Sequence, residues 1–423
     1  MKNINIKNGV DIHIVNAEKF KTNLLSVYFT IPYKRDTVTY AALLPSVLTR
    51  GSVDFPTLKD MSRHLDDLYS ASLSYGVREK GELEVMYFTA EYISDNFINE
   101  NLTDKIADFL KSLILNPLVK DNAFNEAFVK SEKNNLENSI KGLINDKKEY
   151  AETKCREAMF GKNGCGMPEV GYEEDLKDIT PQNLYDFYLN VINNSKIDIF
   201  ISGTVNSDAE NTVKSRLANA FVEREVSYKS SGIAEYKTRD MQNVIENADV
   251  VQSKLCIGLI CGTEPVSDDF YALVLANCIF GASPFSKLFN NVREKLSLAY
   301  YAFSRLTRIK SYMLISAGIQ TENYQKAYDE IMVQYNKMIV GDIEDFEIEA
   351  AKNYLANAYH SLTDSLSGME DYLLSQIILG TDETIDEFLN KLMAVKKDEI
   401  IKVMKKIKFD TVYFLKGKTL KEA

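Results

Sequence analysis

The chain opens with short stretches in which apolar and polar residues alternate. This pattern is typical of half-buried β-strands. DIHIVN at 11–16 and LLSVYFTI at 24–31 are followed by a helical pattern from about Tyr40 to Thr49, with Gly51 as its C-terminal stop. A second helix is predicted to begin at Pro56, with an apolar stripe that starts at Leu58. SASLSYGV at 70–77 and LEVMYFTAEYI at 83–93 then predict a β-hairpin.

Polar-rich helices fill the rest of the first half, including a long one from about Asn122. TPQNLYDFYLNVI predicts a helix that is capped by Thr180 and begins at Pro181, and the strand IDIFISG follows at 197–203. Residues 223–247 break this pattern, because they are polar and carry Ser-Ser-Gly at their centre. We therefore predict a linker there, between an N-terminal half at 1–222 and a C-terminal half at 248–423.

The second half repeats the order of the first. A strand lies within 249–262, helices at 268–281 and 286–295, and strands at 298–305 and 311–319, before further helices up to about Lys406 and a last strand at 411–417. Hairpins followed by grouped helices indicate α+β layers. The sequence thus predicts an α+β fold with two structurally similar halves, each an antiparallel sheet packed with helices, that arose by internal duplication.

Length and charge narrow the function classes. A chain of 423 residues exceeds what one hydrophobic core usually serves, which favours two domains. The sequence has no apolar run long enough to span a membrane, and MKNINIKNGVDIHIV does not resemble a secretion signal, so we expect a cytoplasmic protein. A net charge of −11 without a basic cluster argues against binding to nucleic acid or to anionic membranes.

Cysteine and histidine usage argues against a disulfide framework and a local metal motif. The five cysteines include no CxxC pair, and we predict that they are buried, reduced thiols. The three histidines lie far apart, and none has metal-ligand spacing to another. His64 is expected on a helix surface. Glycine-containing stretches such as GLICGTEP lack a phosphate-binding lysine, so nucleotide binding is not expected either.

One segment carries a family resemblance. LFNNVREKLSLAYYAFS at 288–304 resembles the LF..VREK.GLAY segment of the pitrilysin/insulinase-like zinc peptidases, especially their bacterial branch similar to the mitochondrial processing peptidase. The resemblance extends over the whole chain, since members have about 420 residues, two similar α+β halves and a polar linker. It implies the processing-peptidase-like metallohydrolase fold.

The chain departs from this family at the zinc motif. Active members carry H-x-x-E-H on the first long helix, where two histidines bind zinc and the glutamate acts as base. Setting LTRGS against the family's LFKGT places Ala42, Pro45 and Ser46 at the three functional positions. These residues supply neither a base nor a zinc ligand set, and H-x-x-E-H does not occur elsewhere in the chain. We predict no metal or other cofactor in this chain, and no hydrolysis by it alone.

The resemblance implies a role for Arg293 and Tyr300. Many similar enzymes are heterodimers in which one subunit brings zinc and the other brings an Arg–Tyr pair that contacts the peptide near the scissile bond. A phenol hydroxyl stabilises the oxyanion that forms in amide hydrolysis, and a guanidinium binds carbonyl or carboxylate oxygens. The implied partners are a zinc-bearing subunit and a peptide substrate, and the implied site is Arg293 with Tyr300, acting in trans.

Other interpretations remain open at this point. Arg293 is also typical of an exposed helix-end cation, and Tyr300 of a half-buried strand residue. The chain is alternatively a non-catalytic scaffold in a modification or export pathway, or a metallopeptidase with an unrecognised zinc site. Glu126, Glu132 and Glu137 lie where the family's third zinc ligand falls, and we expect a solvated face there. The resemblance also implies that a peptide adds as a strand near 72–75.

Overall fold

A computed structural model describes residues 1–226 and 240–418. Residues 227–239, most of the predicted linker, lie outside the described residues. The chain forms two compact units. Unit 1 contains the described residues within 1–142, 168–230 and 366–371, and unit 2 contains those within 143–167, 231–365 and 372–423. The units therefore do not follow a single cut in the sequence, because residues 143–167 and 366–371 each belong to the unit formed mainly by the other half.

Thirteen strands occur in the described residues. They are β1 (Lys2–Lys7), β2 (Val10–Asn16), β3 (Thr22–Pro32), β4 (Ser72–Lys80), β5 (Leu83–Ile93), β6 (Val119–Lys120), β7 (Ala123–Phe124), β8 (Lys196–Gly203), β9 (Gln242–Asn247), β10 (Ser253–Ile260), β11 (Ala299–Thr307), β12 (Tyr312–Ile319) and β13 (Lys408–Lys416). The predicted hairpins correspond to β4–β5 and β11–β12. The last six residues of the predicted linker form β9.

Fourteen α-helices connect these strands within the described ranges. They are α1 (Val38–Leu48), α2 (Leu58–Asp67), α3 (Leu102–Leu115), α4 (Glu126–Leu143), α5 (Lys147–Phe160), α6 (Glu173–Leu176), α7 (Pro181–Asn194), α8 (Ser207–Thr212), α9 (Asp269–Asn277), α10 (Tyr324–Val340), α11 (Asp345–Leu362), α12 (Leu366–Leu379), α13 (Ile385–Ala394) and α14 (Lys397–Lys406). Three short π-helical segments occur at Val213–Leu217, Cys278–Ala282 and Leu288–Lys295.

Capping explains where two of the predicted helices begin. At α7, Thr180 and Asn183 form a reciprocal capping box and Pro181 occupies the first turn, as the sequence predicts. The second helix begins at Leu58 rather than at the predicted Pro56. The Thr57 hydroxyl accepts a hydrogen bond from the backbone N–H of Asp60, which makes Thr57 the N-cap and leaves Pro56 outside the helix.

The two main sheets share one topology. The sheet of unit 1 has the order β1-β2-β8-β3-β5-β4, and that of unit 2 has β9-β13-β10-β12-β11 read from its opposite edge. When β1 is left out, the strands that correspond in chain order occupy the same positions in both sheets. This confirms the prediction that the two halves are structurally similar. Neighbouring strands are antiparallel except for one parallel pair in each sheet, β2 with β8 and β9 with β13. Each sheet is thus mixed rather than purely antiparallel.

Each unit has its own hydrophobic core. In unit 1, alternate β3 residues such as Val27 and Phe29 belong to the same core cluster as Ile106 and Leu110 of α3. In unit 2, β10 and β12 are buried along their whole length and pack with α9, α10 and α14. All five cysteines are free and buried, as predicted. No helix within 1–226 or 240–418 is long and apolar enough to cross a membrane.

Helix α5 shows what the exchanged segment 143–167 contributes to unit 2. Its buried face presents Cys155 and Met159 to the sheet, where they pack in one cluster with Cys256 and Tyr413. A Cβ on Gly258 of β10 would come within 2.2 Å of the Met159 sulfur, so a larger residue at this position would displace the Met159 side chain. The helix is therefore part of the unit 2 core.

Candidate functional site

Helix α1 carries the three residues at the zinc-motif positions. Pro45 is buried in the middle of the helix, whereas Ala42 and Ser46 are half-buried. A proline there has no N–H to donate to the preceding turn. The Thr49 hydroxyl donates to the backbone carbonyls of Pro45 and Ser46, at 3.0 and 3.1 Å. The helix is thus held by apolar burial and these backbone contacts.

One of the three glutamates in the region of the expected third zinc ligand, Glu132, forms an ion pair. Glu132 of α4 is only 8% exposed, which corrects our expectation of a solvated face at this residue. Its carboxylate lies 3.3 Å from the Arg50 guanidinium and accepts a hydrogen bond of 3.0 Å from the Asn135 amide. Arg50 also lies over the Phe128 ring, 5.6 Å from its centroid. The buried carboxylate therefore already has a cation as its partner.

The donor set of α1 and α4 does not fit zinc. Zinc in proteins takes histidine, cysteinate or carboxylate ligands in tetrahedral arrangement. Here Ala42, Pro45 and Ser46 offer a methyl group, a pyrrolidine ring and one hydroxyl on α1, and Glu132 of α4 is paired with Arg50. Within the described ranges, no group of three or more His, Cys, Asp or Glu side chains is placed to hold a metal ion. The residues at these positions therefore do not form a zinc site.

Arg293 lies on the π-helical segment Leu288–Lys295 of unit 2. Leu288 and Val292 anchor this segment in the core and are fully buried. The wider π-helical turn shows in the hydrogen bond of 3.2 Å from the Leu296 N–H to the Asn291 carbonyl. The Arg293 side chain is 43% exposed, lies over the Phe289 ring and is 3.5 Å from the Glu294 carboxylate. Its guanidinium therefore stays open to solvent on one side.

Tyr300 projects outward because of a β-bulge. Ala299 pairs with Ile319 and Tyr301 pairs with Gly318, so Tyr300 is an extra residue in the edge strand β11. Bulges of this kind re-aim a side chain and recur beside functional sites. Tyr300 is 61% exposed, and within the described part of the chain its hydroxyl has no hydrogen-bond partner. The phenol is thus available to a ligand.

Arg293 and Tyr300 line the same surface pocket, which has a volume of about 420 Å³. Its other lining residues are mostly polar, namely Glu294, Ser297, Leu298, Ala299, Gln320 and Asn323. Guanidinium, phenol and amide groups together offer many hydrogen-bond donors. Such a pocket is suited to carbonyl or carboxylate oxygens, as found along a peptide backbone.

Ser297 gives the pocket a strained backbone position. Its φ of +50° lies in the left-handed region, which disfavours residues other than glycine. This conformation turns the chain so that the Leu298 N–H reaches the Val292 carbonyl at 3.0 Å, immediately before β11 begins. The local sequence does not reveal this role of Ser297, because a serine carries no signal for positive φ.

We expect Ser297→Gly to raise the free energy of unfolding by about 0.5–1 kcal/mol, since glycine adopts positive φ without steric cost. Ser297→Ala is the matched control, because it removes the hydroxyl but keeps the Cβ, and it should not stabilise the protein. Urea unfolding of the three proteins measures both effects. Equal stabilisation by glycine and alanine would show that the hydroxyl, rather than backbone strain, is responsible.

The structure also places two other residues considered in the sequence, His64 and Tyr75. His64 is half-buried and packs against the rings of Phe55 and Phe109, at centroid distances of 4.6 and 5.5 Å, and burial lowers the pKa of its imidazole. It therefore packs in unit 1 rather than standing on an open helix surface. Tyr75 is exposed on β4, an edge strand of the unit 1 sheet.

The two units share one strand order when β1 is left out, and the first helix of the chain lacks metal ligands. Residues 178–355 match the family described as Peptidase M16 inactive domain. The probable inactive metalloprotease YmfF of Bacillus subtilis (strain 168) is 33% identical over 413 residues, which are 97% of this chain and 96% of that protein. The chain belongs to the M16 family, the pitrilysin/insulinase-like peptidases, and its helix α1 lacks the zinc ligand set of the active members.

Solved structures agree with this fold. A conserved protein from Enterococcus faecalis V583 is 28% identical, with a TM-score of 0.92 over 99% of both chains. A peptidase M16 inactive domain from Pseudomonas fluorescens has a TM-score of 0.82 at 14% identity, covering 99% of this chain and 98% of that one. The fold expected from the segment at 288–304 is thereby confirmed.

Proposed function

We propose that this chain is the zinc-less subunit of a heterodimeric peptidase, in which it supplies Arg293 and Tyr300 to a peptide bound by a zinc-bearing relative. The observation that carries this proposal is the pocket of unit 2, where both side chains line one opening and the phenol hydroxyl has no partner within the described residues. The hydrolytic chemistry belongs to the partner, since α1 lacks a zinc ligand set.

The two residues have separate tasks in this proposal. Tyr300 donates its O–H to the carbonyl oxygen of the scissile amide, where negative charge grows during attack by water. Arg293 binds a neighbouring backbone carbonyl through its fork of N–H donors and so orients the peptide.

Mixing tests the proposal. Hydrolysis of a library of quenched fluorescent peptides is measured for this chain, for a zinc-bearing M16 relative from the same genome, and for their equimolar mixture. We expect activity that requires both chains, together with a complex detectable by analytical ultracentrifugation. Activity of this chain alone would contradict the absence of a zinc site. No complex and no gain on mixing would refute the pairing and favour the non-catalytic scaffold.

A further inference from the structure

A fully buried carboxylate outside the pocket has no part in the proposed function. Glu370 of α12 is 0% exposed. Residues 366–371, the first part of this helix, belong to unit 1 together with its six-stranded sheet. Three hydroxyl groups of that sheet surround the carboxyl group of Glu370. Ser202 donates to Oε1 at 2.6 Å, and Ser26 and Tyr28 donate to Oε2 at 2.6 and 2.9 Å. We call these four residues the Glu370 cage.

The charged groups around the cage do not neutralise Glu370 directly. From β4, Arg78 and Lys80 contact Asp371, the next residue along the helix, at 2.9 and 2.8 Å. Burial by itself would raise the pKa of Asp371, but these two cations outweigh it and hold the pKa below its usual value. Asp371 therefore stays ionised and is the carboxylate that forms ion pairs with Arg78 and Lys80.

The other titratable groups facing the cage come from β3 and β8. Tyr28 remains a phenol, because burial and the neighbouring Glu370 raise its pKa well above the ordinary value. Opposite Tyr28 on β8 stands Asp198, which is paired with His13 and Lys196 at 2.8 and 2.7 Å. Within the described residues, only hydroxyl groups hydrogen-bond to the side-chain carboxyl of Glu370. Removal of its proton therefore leaves a buried negative charge that no cation contacts.

We propose that Glu370 is a proton-dependent anchor that holds residues 366–371 on the unit 1 sheet more firmly when it is protonated. Serine and tyrosine hydroxyls both accept and donate hydrogen bonds, so the cage accommodates the neutral acid without rearrangement of the backbone. Helix α12 continues into unit 2 from Tyr372 onwards. The anchor is thus placed where the chain passes from one compact unit to the other.

The pH range of the effect follows from the surroundings of Glu370. Burial raises its pKa from 4.5 to about 7, although the three hydroxyl hydrogen bonds and Arg78 lower it again in part. A carboxyl group with a raised pKa stabilises the folded state below its unfolded pKa, and this contribution is lost as the pH rises through about 7. The anchor therefore tightens on acidification between pH 7 and pH 4.5 and changes little above pH 7.5.

Hydrogen–deuterium exchange of the full chain tests the anchor. For peptides that cover residues 366–371, corrected for intrinsic exchange, the opening equilibrium should rise on the order of tens-fold from pH 5 to pH 7 and then level off. Glu370→Gln should abolish this dependence, because the amide does not titrate. Asp371→Asn is the matched control and should keep it, since the pKa of Asp371 lies below this range.

The wild-type profile is decisive even if a variant folds poorly. A flat opening equilibrium between pH 5 and pH 7 in the wild-type chain would overturn the proposal. So would a profile in Glu370→Gln that matches the wild type. If the pH dependence of the opening equilibrium disappears only in Asp371→Asn, the ion pairs of Asp371 cause it, and a role for Glu370 is refuted.

Discussion

Replacing Tyr300 by phenylalanine is expected to lower the turnover number of the assembled peptidase pair by about 10²–10³, with a much smaller change in KM. The expectation rests on the proposed function. The hydroxyl donates to an oxygen whose charge grows only as the amide is attacked, so its loss affects the transition state more than the bound substrate. Steady-state kinetics of the mixture with a single peptide measures both constants.

The neighbouring tyrosine supplies the control. Tyr301 differs from Tyr300 in that its hydroxyl is buried and burial raises the pKa of its phenol. Tyr301→Phe should therefore leave turnover close to wild type. Arg293→Lys keeps the charge but loses the guanidinium fork, and it should raise KM more than it lowers kcat. Unchanged turnover in Tyr300→Phe, with a complex still formed, would remove Tyr300 from the proposed site.

Replacing Glu84 by methionine is expected to raise the free energy of unfolding at pH 7 by about 1–3 kcal/mol. Glu84 of β5 is 1% exposed and lies on the core face of the unit 1 sheet, two residues before Met86. Within the described chain neither of its carboxyl oxygens has a hydrogen-bond partner. Methionine has similar length and no polar atom that requires one.

The pH dependence of stability shows whether the buried carboxyl group of Glu84 causes the expected gain. Burial, and then the nearby Glu169, raise the pKa of Glu84 well above its ordinary value. The stability that this group contributes is therefore fully present below its unfolded pKa of about 4.5 and is lost as the pH rises through the raised value. Glu84→Met should reduce this fall in stability above pH 4.5.

Glu84→Gln is the matched variant, because it removes the charge but keeps an unpartnered polar group. It should flatten the pH dependence as methionine does, while giving less stabilisation at pH 7. Urea unfolding between pH 5 and pH 8 measures all three proteins. A loss of stability in both variants would mean that the carboxyl group has a stabilising partner.

The sequence by itself determined the order of elements, because their patterns are local. Alternating residues identify β3 and the β4–β5 hairpin, and the Thr180–Pro181 pair identifies the start of α7. The repeat of this order predicts two similar halves. The absence of zinc ligands at Ala42, Pro45 and Ser46 is equally local, since it depends only on which side chains are present.

Only the tertiary structure decided the features that join distant parts of the chain. It placed α5 in unit 2 and residues 366–371 in unit 1, and it brought Arg50 to Glu132. The buried acids Glu84 and Glu370 are indistinguishable in sequence from solvated glutamates. Their character comes from desolvation by residues far apart in the chain, and a local pattern of apolar and polar positions contains no record of such contacts.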